Sequence, residues 1–528
     1  MRYDLLVTGG TVVNGEGTTF MADVAVKNGV IAAVGSIKGD ARKHISATGL
    51  IVAPGFIDMH SHGDLRATGT TPFSGKVMQG ITTEVTGQCG FSAAPVFFEK
   101  KADFANYLLP YLGRTDRGIV WRSWREYLSV LRDSPLTTNI VPLVGHGNIR
   151  AMVRGMAPGP ASRGELAAMC SMLGDIRAAG CAGLSSGLVY PPGVFTPPSE
   201  LEMLAKMVVD GGIYTSHIRG EGDGIADALR EFFRLVERTG VSGEISHLKV
   251  TGRRRMERIG EILAMLDRQR ARGFEINFDQ YPYTAGSTSL SAVLPSWMFE
   301  GGPKRLFERL LDAGERRRAR KEIERSVPPG REDFAHNCGT WDGVVVNQIF
   351  TRRNRRWEGM TVAEISRRRR KSPVECIFDL LLEEEGRVQA IYFSMEEEAV
   401  RMVAGKSYGF VGTDGLPGRK PHPRINGTFP RFFAQFVREQ HLLSLSEAVF
   451  KCSTGPAKKL GLRNRGTVAR GMAADIVVFD ASRIADRATY EHPNRKPLGI
   501  EWVIVNGVVA VHRGSFGGAT GGQILGRG

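Results

Sequence analysis

Residues 54 to 64 read PGFIDMHSHGD, and this stretch decides the fold because it sets two histidines directly behind an apolar run. The run LIVAPGFID, residues 50 to 58, has the composition of a buried strand. Side chains two positions apart on a strand point the same way, so His60 and His62 should leave the strand end together. Two neighbouring imidazoles are a ready ligand pair for a divalent metal, although a histidine pair in a turn is the alternative from this stretch alone.

Four further candidate ligands each follow a strand-like run. They are Cys89 in GQCG, His217 in YTSHIRG, His247 in EISHLK and Asp414 in GTDGLPG. Taken singly each is weak, because a lone histidine is usually packed or solvated and an Asp-Gly pair is usually a turn. Their recurrence is more informative, since the active site of a parallel barrel lies at the carboxyl ends of its strands. The pattern therefore predicts one metal site that gathers ligands from most of the chain.

The order of strand-like and helical runs predicts several parts. Residues 1–53 and 465–515 read as short strands with turns, and we expect the two ends to pair into one small β-sandwich. Residues 54–464 alternate helical and strand-like runs, which predicts a parallel α/β sheet or barrel. Residues from about 288 to 345 break this rhythm and read as an inserted helical lid, and the Gly-rich residues 516–528 read as a flexible tail.

Longer motifs extend the ligand set into a recognisable pattern. The HxH segment and the C-terminal RGTVARGMAADIVVFD (465–480) are typical of amidohydrolases in general. Cys89 after Gly-Gln occurs together with GLVYPPG (187–193), YPYTAGST (281–288) and HPRINGTFPR (422–431). With these motifs the chain resembles the amidohydrolase superfamily over nearly its whole length, and within it the N-acyl-D-amino-acid deacylases, or D-aminoacylases. The resemblance implies an α/β fold, a TIM-like (β/α)8 metallo-hydrolase barrel that carries the β-sandwich and the lid.

The resemblance also implies a zinc enzyme. One tight Zn²⁺ site would use a thiolate and two imidazoles, from Cys89, His217 and His247. This set leaves a fourth position for water or substrate, and a thiolate favours zinc over magnesium or calcium. A second, weaker metal position would use His60, His62 and Asp414. Cys89 would take the bridging place that a carboxylated lysine has in many amidohydrolases.

Asp414 has the central catalytic role in this interpretation. A zinc ion lowers the pKa of its water to about 7 and polarises the amide carbonyl. The Asp414 carboxylate would accept the proton of that water and deliver it to the departing amine. The alternative is a turn aspartate that caps its own loop.

The resemblance further implies residues that hold an N-acyl-D-amino acid. Arg424 matches the family position for the substrate carboxylate, which a guanidinium can bind at two points. The other candidates for substrate binding are Lys249, Tyr190, Tyr283 and Ser289. For the tyrosines, packing at the barrel mouth is the alternative. The D-side chain is left open between an apolar pocket and an acidic-specific pocket with one more cation, for which the nearby candidates are Arg66, Arg219 and Arg253.

Composition and charge agree with such an enzyme. The chain has 528 residues, which is enough for a large barrel and an accessory domain. Its content of 42% hydrophobic and 24% charged residues is ordinary for a globular protein. No apolar run approaches the roughly 20 residues that span a bilayer, no signal peptide is recognised, and six sparse cysteines indicate a reducing compartment, so we expect a cytoplasmic enzyme. The 70 basic and 55 acidic residues leave a net charge of +15, but the basic clusters lack interleaved aromatics, and we expect no nucleic-acid or membrane partner.

Two other functions share the predicted fold. A cyclic-amide hydrolase of the dihydroorotase or hydantoinase type usually has a bridging lysine, and this chain has Cys89 instead. A scaffold that has lost catalysis should lack metal ligands, whereas all six candidates are present. The sequence therefore favours zinc-dependent hydrolysis of linear N-acyl-D-amino acids to a carboxylate and a free D-amino acid. It does not determine the acyl group or the oligomeric state.

Overall fold

The computed structural model describes residues 2–96, 101–252, 257–325 and 332–526, and for residues 101–106 it describes the backbone alone. Arg253, one of the candidate cations, lies outside these residues.

Within the described residues, parallel strands form a closed eight-stranded barrel. The first strand and the last are joined where Met59 N–H donates to Val411 O at 3.1 Å and Asp414 N–H donates to His60 O at 2.7 Å. The predicted (β/α)8 barrel is therefore confirmed. Its strands, the third of which is interrupted at residue 143, are Phe56–Asp58, Ile81–Thr86, Asn139–Pro142 with Val144–Gly145, Gly183–Gly187, Ile213–His217, Ser242–Ile245, Ile276–Gln280 and Gly409–Val411.

Amphipathic helices cover the barrel. In Ile225–Thr239 the buried side chains recur at intervals of three and four residues, which lays one apolar face on the strands. This helix ends at Gly240, whose φ of 74° is the left-handed conformation that glycine adopts readily. No helix in the described ranges combines the length and apolar character needed to cross a membrane. The other helices outside the insertion are Asp64–Ala67, Lys101–Leu112, Trp124–Arg132, His146–Arg154, Arg163–Ala178, Pro198–Lys206, Glu257–Ala271, Glu397–Ala404, Arg424–Phe432, Leu445–Val449 and Gly455–Lys459.

The two chain ends form one β-domain, as predicted. Strand Ile51–Pro54 pairs in parallel with Tyr3–Val13 and antiparallel with Ile476–Phe479, which joins the N-terminal strands to the C-terminal ones. Alternate side chains of these strands, such as Val24 and Ile504, are fully buried in a core of their own. The remaining strands of this domain are Thr19–Lys27, Val30–Gly35, Ala41–Ser46, Ile500–Val505, Val508–His512 and Ser515–Phe516.

The insertion extends beyond the predicted lid at residues 288–345 and is less helical. Strand Gly286–Ser289 pairs with Gln389–Tyr392, which also pairs with Val344–Gln348, so a three-stranded antiparallel sheet supports it. The difference arises because strands distant in sequence pair here, which local periodicity does not reveal. Four helices pack on this sheet around a separate apolar core: Pro303–Leu311, Ala313–Ile323, Val362–Arg369 and Pro373–Glu383.

The glycine-rich residues 517–526, predicted as part of a flexible tail, lie against the barrel instead. Ile140 N–H donates to Gln523 O at 2.8 Å, and Leu525 N–H donates to Ile140 O at 2.8 Å. Asn139 Oδ1 accepts from the Gln523 N–H at 3.1 Å. Backbone pairing needs no side chains, so a glycine-rich composition does not prevent it. The described part of the tail is thus fixed to the barrel.

Candidate metal centre

Three of the predicted ligands stand just past the carboxyl ends of barrel strands in a left-handed backbone conformation. Cys89, His247 and Asp414 have φ values of 55°, 38° and 46°. For residues other than glycine, such a conformation costs of order 1–3 kcal/mol of free energy, and it persists only where the surrounding structure enforces it. The turns aim all three side chains at one buried cluster.

Cys89 lies at the centre of this cluster. Its Sγ is 3.3 Å from His60 Nε2, 3.4 Å from His247 Nε2 and 3.8 Å from His217 Nδ1. Around a tetrahedral zinc ion, with Zn–S about 2.3 Å and Zn–N about 2.0 Å, sulfur and nitrogen ligands stand about 3.5 Å apart. The spacing therefore fits zinc ligands, and His60 is nearer to the thiol than His217 is.

A second group of donors adjoins the first. Asp414 Oδ1 lies 3.2 Å from His62 Nε2 and 3.6 Å from His60 Nε2. These are the three residues predicted for the weaker metal position. His60 lies close to both Cys89 and Asp414, so the two groups of donors are adjacent. The residues present could therefore hold two neighbouring ions, with the Cys89 thiolate as a shared ligand.

Burial and neighbouring charges set the protonation of the donors. Burial holds the pKa values of His217 and His247 well below the usual range, so both rings offer a free lone pair at neutral pH. Burial also lowers the pKa of His60, but the charges of Asp279 and then Cys89 outweigh it and raise that pKa well above normal. Burial raises the pKa of the Cys89 thiol, and a bound cation would instead favour the thiolate.

Two carboxylates that the sequence analysis missed lie beside the outer nitrogens of the histidine rings. Asp279 Oδ2 is 3.1 Å from His60 Nδ1. Glu221 Oε1 is 3.1 Å from His247 Nδ1, and Glu221 Oε2 is 3.7 Å from His217 Nε2. A carboxylate behind a ligating imidazole fixes the orientation of the ring and raises its basicity. The sequence did place both carboxylates near the ends of barrel strands. A single carboxylate at such a position is common, however, and does not by itself indicate a role in a metal site.

We expect Asp279→Asn to weaken metal binding about 10- to 100-fold, the usual effect of removing a carboxylate behind a ligand histidine. Zinc titration in competition with a chelator measures this. Asp480→Asn is the matched control, because Asp480 caps Ser482 in the C-terminal β-domain. Equal zinc affinity in Asp279→Asn and the wild-type protein would contradict a supporting role.

The cluster opens into a pocket whose wall includes Lys249 and Tyr190. Lys249 Nζ donates to Glu221 Oε1 at 2.5 Å and lies 2.8 Å from His247 Nδ1. Burial lowers the pKa of Lys249, but Glu221 outweighs burial and raises it above the usual value, so the side chain is a cation. Tyr190 OH is 2.9 Å from Thr288 Oγ1, and burial raises its pKa well above normal, so it is a neutral hydroxyl.

Arg424 is fully buried behind the pocket wall. Its Nη1 lies 2.8 Å from Asp414 Oδ2, and its Nη2 donates to Ser287 O at 3.0 Å. Its guanidinium also stands 4.5 Å from the ring centre of Tyr281. Burial alone would raise the pKa of Asp414, but Arg424 and then the nearby histidines hold it well below the usual range. Asp414 is therefore an anion whose second oxygen faces the metal ligands.

Tyr283 does not line the pocket, and Tyr281 does. The Tyr283 hydroxyl is 3.5 Å from Asp486 Oδ2, and its ring packs edge-on against His422 with centroids 5.2 Å apart. The reason is local: Tyr283 N–H donates to Tyr281 O at 3.0 Å, a tight turn that sends the two rings in different directions. The motif YPYTAG identified the correct segment, but its turn decided which tyrosine faces the site.

Ser289 also lies outside the pocket lining. Its Oγ accepts from the Ser291 N–H at 3.2 Å and so caps the turn that follows, while Tyr392 OH donates to its carbonyl at 3.1 Å. The pocket is lined instead by Ser287 and Thr288, the preceding residues of the same strand. Ser289 therefore holds the start of the insertion in place.

The other candidate cations are engaged elsewhere. Arg219 pairs with Glu231 at two points, with Nε to Oε2 at 2.9 Å and Nη2 to Oε1 at 2.8 Å. Arg66 stands over the ring of Phe73 at 5.0 Å, at a separate pocket. Neither arginine lines the pocket over the metal ligands.

The chain is similar in sequence to known amidohydrolases and deacylases. The Amidohydrolase family pattern matches residues 357–511. D-aminoacylase of Alcaligenes xylosoxydans xylosoxydans is 35% identical over 535 residues, covering 99% of this chain and 98% of the relative. N-acyl-D-glutamate deacylase of the same organism is 36% identical, covering 96% of this chain and 93% of the relative.

Solved structures of N-acyl-D-amino-acid deacylases are also similar to this chain over its whole length. N-acyl-D-glutamate deacylase of Bordetella bronchiseptica, complexed with zinc and a phosphonate mimic of the tetrahedral intermediate, superposes with a TM-score of 0.84 at 32% identity and full coverage of both chains. A D-aminoacylase studied for its binuclear metal centre gives a TM-score of 0.82 at 32% identity, covering 99% of this chain and all of the other. D-hydantoinase of Thermus sp., at a TM-score of 0.52 and 18% identity over 99% of each chain, shares the fold alone.

Proposed function

Because the chain belongs to the N-acyl-D-amino-acid deacylase family of the amidohydrolases, we propose that it hydrolyses N-acyl-D-amino acids to a carboxylate and a free D-amino acid with the buried cluster around Cys89. The observation that carries this proposal is the convergence of one thiol, four imidazoles and an arginine-paired carboxylate at the barrel mouth. A cyclic-amide hydrolase is disfavoured because the hydantoinase likeness is limited to the fold. A scaffold without catalysis is disfavoured because the donor set is complete.

We assign one tight zinc site to Cys89, His217 and His247, and a weaker position to His60, His62 and Asp414. The soft sulfur and the imidazoles suit zinc better than magnesium or calcium. A zinc ion bound there supplies Lewis-acid polarisation of the amide carbonyl and a water of lowered pKa.

In this assignment Asp414 moves the proton. Its Oδ2 is held by Arg424 Nη1, so Oδ1 is the oxygen that faces His62 and the substrate. Oδ1 would accept the proton of the attacking water and then deliver it to the amide nitrogen as the C–N bond breaks. The low pKa of Asp414 keeps its carboxylate ionised at neutral pH, which is the form that can take up a proton.

The substrate carboxylate would bind on the His247 side of the pocket. Lys249 presents a cation there, 5.9 Å from the Tyr281 ring centre, and Arg424 lies behind the same ring. Lys249 is the cation that lines the pocket, and Arg424, the carboxylate anchor expected from the sequence, lies behind the wall and would reach the substrate only if that wall moved. Tyr190 lies on the His217 side, with ring centroids 5.1 Å apart, and would donate to the carbonyl oxygen.

Kinetics should separate the two cations. We expect Lys249→Met to raise KM by about 10- to 100-fold, because hydrogen bonds to charged groups are worth about 1.5–3 kcal/mol. Arg424→Ala should raise KM and also lower kcat, since Asp414 loses its partner. The control is Arg419→Ala, an arginine paired with Glu358 outside the pocket. If KM stays unchanged in both test variants, neither cation holds the substrate carboxylate.

The function itself is tested by metal analysis and paired substrates. We expect about one tightly bound zinc per chain, and hydrolysis of N-acetyl-D-amino acids with little turnover of the L-enantiomers. Protein loaded with zinc that hydrolyses neither enantiomer would refute the proposed reaction, and protein that binds no zinc would favour the scaffold.

We also propose a cytoplasmic enzyme that acts on small anionic molecules. None of the six cysteines is in a disulfide, as is usual in a reducing compartment. The net charge of +15 would draw anionic substrates toward the protein.

A further inference from the structure

A second cavity lies beside the metal pocket, between the barrel loops and the insertion. Its volume is about 460 Å³, against about 50 Å³ for the pocket over the candidate metal ligands. The barrel side of its wall includes Leu188 and Val194, and the insertion side includes Ala292, Leu294 and Phe299. An acetyl group is far too small to use such a space.

The two cavities adjoin. Tyr111, Tyr190, Glu332 and Phe334 line both, so these side chains stand at the boundary between them. The Tyr111 and Tyr190 rings pack edge-on with centroids 5.2 Å apart and form an aromatic wall at this boundary.

Charged side chains also line the second cavity, among them Arg219, Glu300, Glu322, Glu332 and Asp333, and two of the polar side chains in its wall are held by partners. Arg219 is held at two points by Glu231, and Trp297 Nε1 donates to Glu322 Oε2 at 2.9 Å. A hydrocarbon could lie against the apolar parts of the wall while Arg219 and Trp297 keep these partners.

The geometry of the amide indicates which substituent faces this cavity. A secondary amide is planar and trans, so its acyl chain and its Cα leave in opposite directions. The proposed carboxylate contact at Lys249 lies on the His247 side, whereas Tyr190 and the second cavity lie on the His217 side. With the α-carboxylate at Lys249, the acyl group points past Tyr190.

We propose that the second cavity binds the acyl chain, and that the preferred substrates are N-acyl-D-amino acids with medium-length aliphatic acyl groups rather than acetyl. This inference rests on the proposed function. It gives the insertion a role in specificity, since its residues 291–299 supply one wall of the cavity.

The test compares N-acetyl-, N-butanoyl-, N-hexanoyl- and N-octanoyl-D-leucine. We expect kcat/KM to rise about threefold to fourfold per added methylene, the factor that matches burial of one CH₂ group. A flat or falling profile on an enzyme that cleaves N-acetyl-D-leucine would overturn the acyl site while leaving the proposed function intact. If no member of the series is cleaved, the proposed function fails.

Filling the second cavity with a large side chain should remove the preference for long acyl chains over acetyl. In Ala292→Trp, and in Val194→Trp on the opposite wall, we expect the octanoyl-to-acetyl ratio of kcat/KM to fall at least about tenfold from loss of the buried chain. Met203→Trp, at an exposed position on helix Pro198–Lys206, is the control and should keep the wild-type ratio. Unchanged ratios in both cavity variants would overturn the inference.

Calorimetry with octanoate gives a readout without turnover. The wild-type protein should bind octanoate and not acetate, and Ala292→Trp should weaken octanoate binding. If octanoate does not bind, or binds equally to the filled variant, the second cavity is not an acyl site.

Discussion

Asp414→Asn should lower kcat on an N-acyl-D-amino acid by about 10²- to 10⁴-fold, the usual cost of losing a general acid–base group. The amide has nearly the size of the carboxylate but cannot take up the proton of the attacking water. It also removes the negative charge that Arg424 Nη1 contacts at 2.8 Å and His62 Nε2 at 3.2 Å. Steady-state kinetics, with metal content measured on the same sample, gives the result.

Asp267→Asn is the matched control for this variant. Asp267 lies on the outer helix Glu257–Ala271 and accepts from Lys406 Nζ at 2.5 Å, so its loss should leave turnover unchanged. Turnover close to the wild-type value in Asp414→Asn, with full metal, would remove Asp414 from the mechanism.

Cys89→Ala should abolish tight zinc binding and lower kcat/KM by at least about 10³-fold. A catalytic metal supplies several kcal/mol of transition-state stabilisation, and each 1.4 kcal/mol or so is a factor of ten. The loss should exceed that of any single histidine, because the Cys89 sulfur lies within 3.8 Å of His60, His217 and His247. Elemental analysis and kinetics together measure it.

Cys170→Ala provides the comparison for the thiol. Cys170 is half-buried on the outer helix Arg163–Ala178, and its replacement should change neither zinc content nor rate. Full activity in Cys89→Ala without zinc would refute the metal assignment.

The sequence indicated which candidate ligands converge because the active site of a parallel barrel lies at the carboxyl ends of its strands. His60, Cys89 and Asp414 could each be recognised as a reactive side chain directly after a strand-like run, with no knowledge of the distances between them. Asp279 and Glu221 follow the same rule, yet a single carboxylate beside a strand end is common and carries no signal without its histidine partner. Their role depends on contacts between residues far apart in sequence.

Near residues 281–289 the side chains that line the pocket differ from those expected, and the cause is local. The choice between Tyr281 and Tyr283 depends on one hydrogen bond within a tight turn, and the choice between Ser287 and Ser289 depends on where a strand ends and a cap begins. Strand alternation alone would predict equal orientation for residues two apart, and the turn breaks that rule. The extent of the insertion was missed for a different reason, since Gly286–Ser289 finds its partner strand only at Gln389–Tyr392.

The hydrogen bond from Asp414 N–H to His60 O lies at the seam where the first and last barrel strands meet. The proposed weaker metal position would therefore span the two edges of the sheet and would form only when the ring of strands is complete. Nascent chains that stop before Gly409 would already hold Cys89, His217 and His247 but would lack Asp414. During synthesis, Cys89, His217 and His247 could therefore bind zinc before Asp414 is available for proton transfer. Catalytic activity would then appear only when the last strand has closed the barrel.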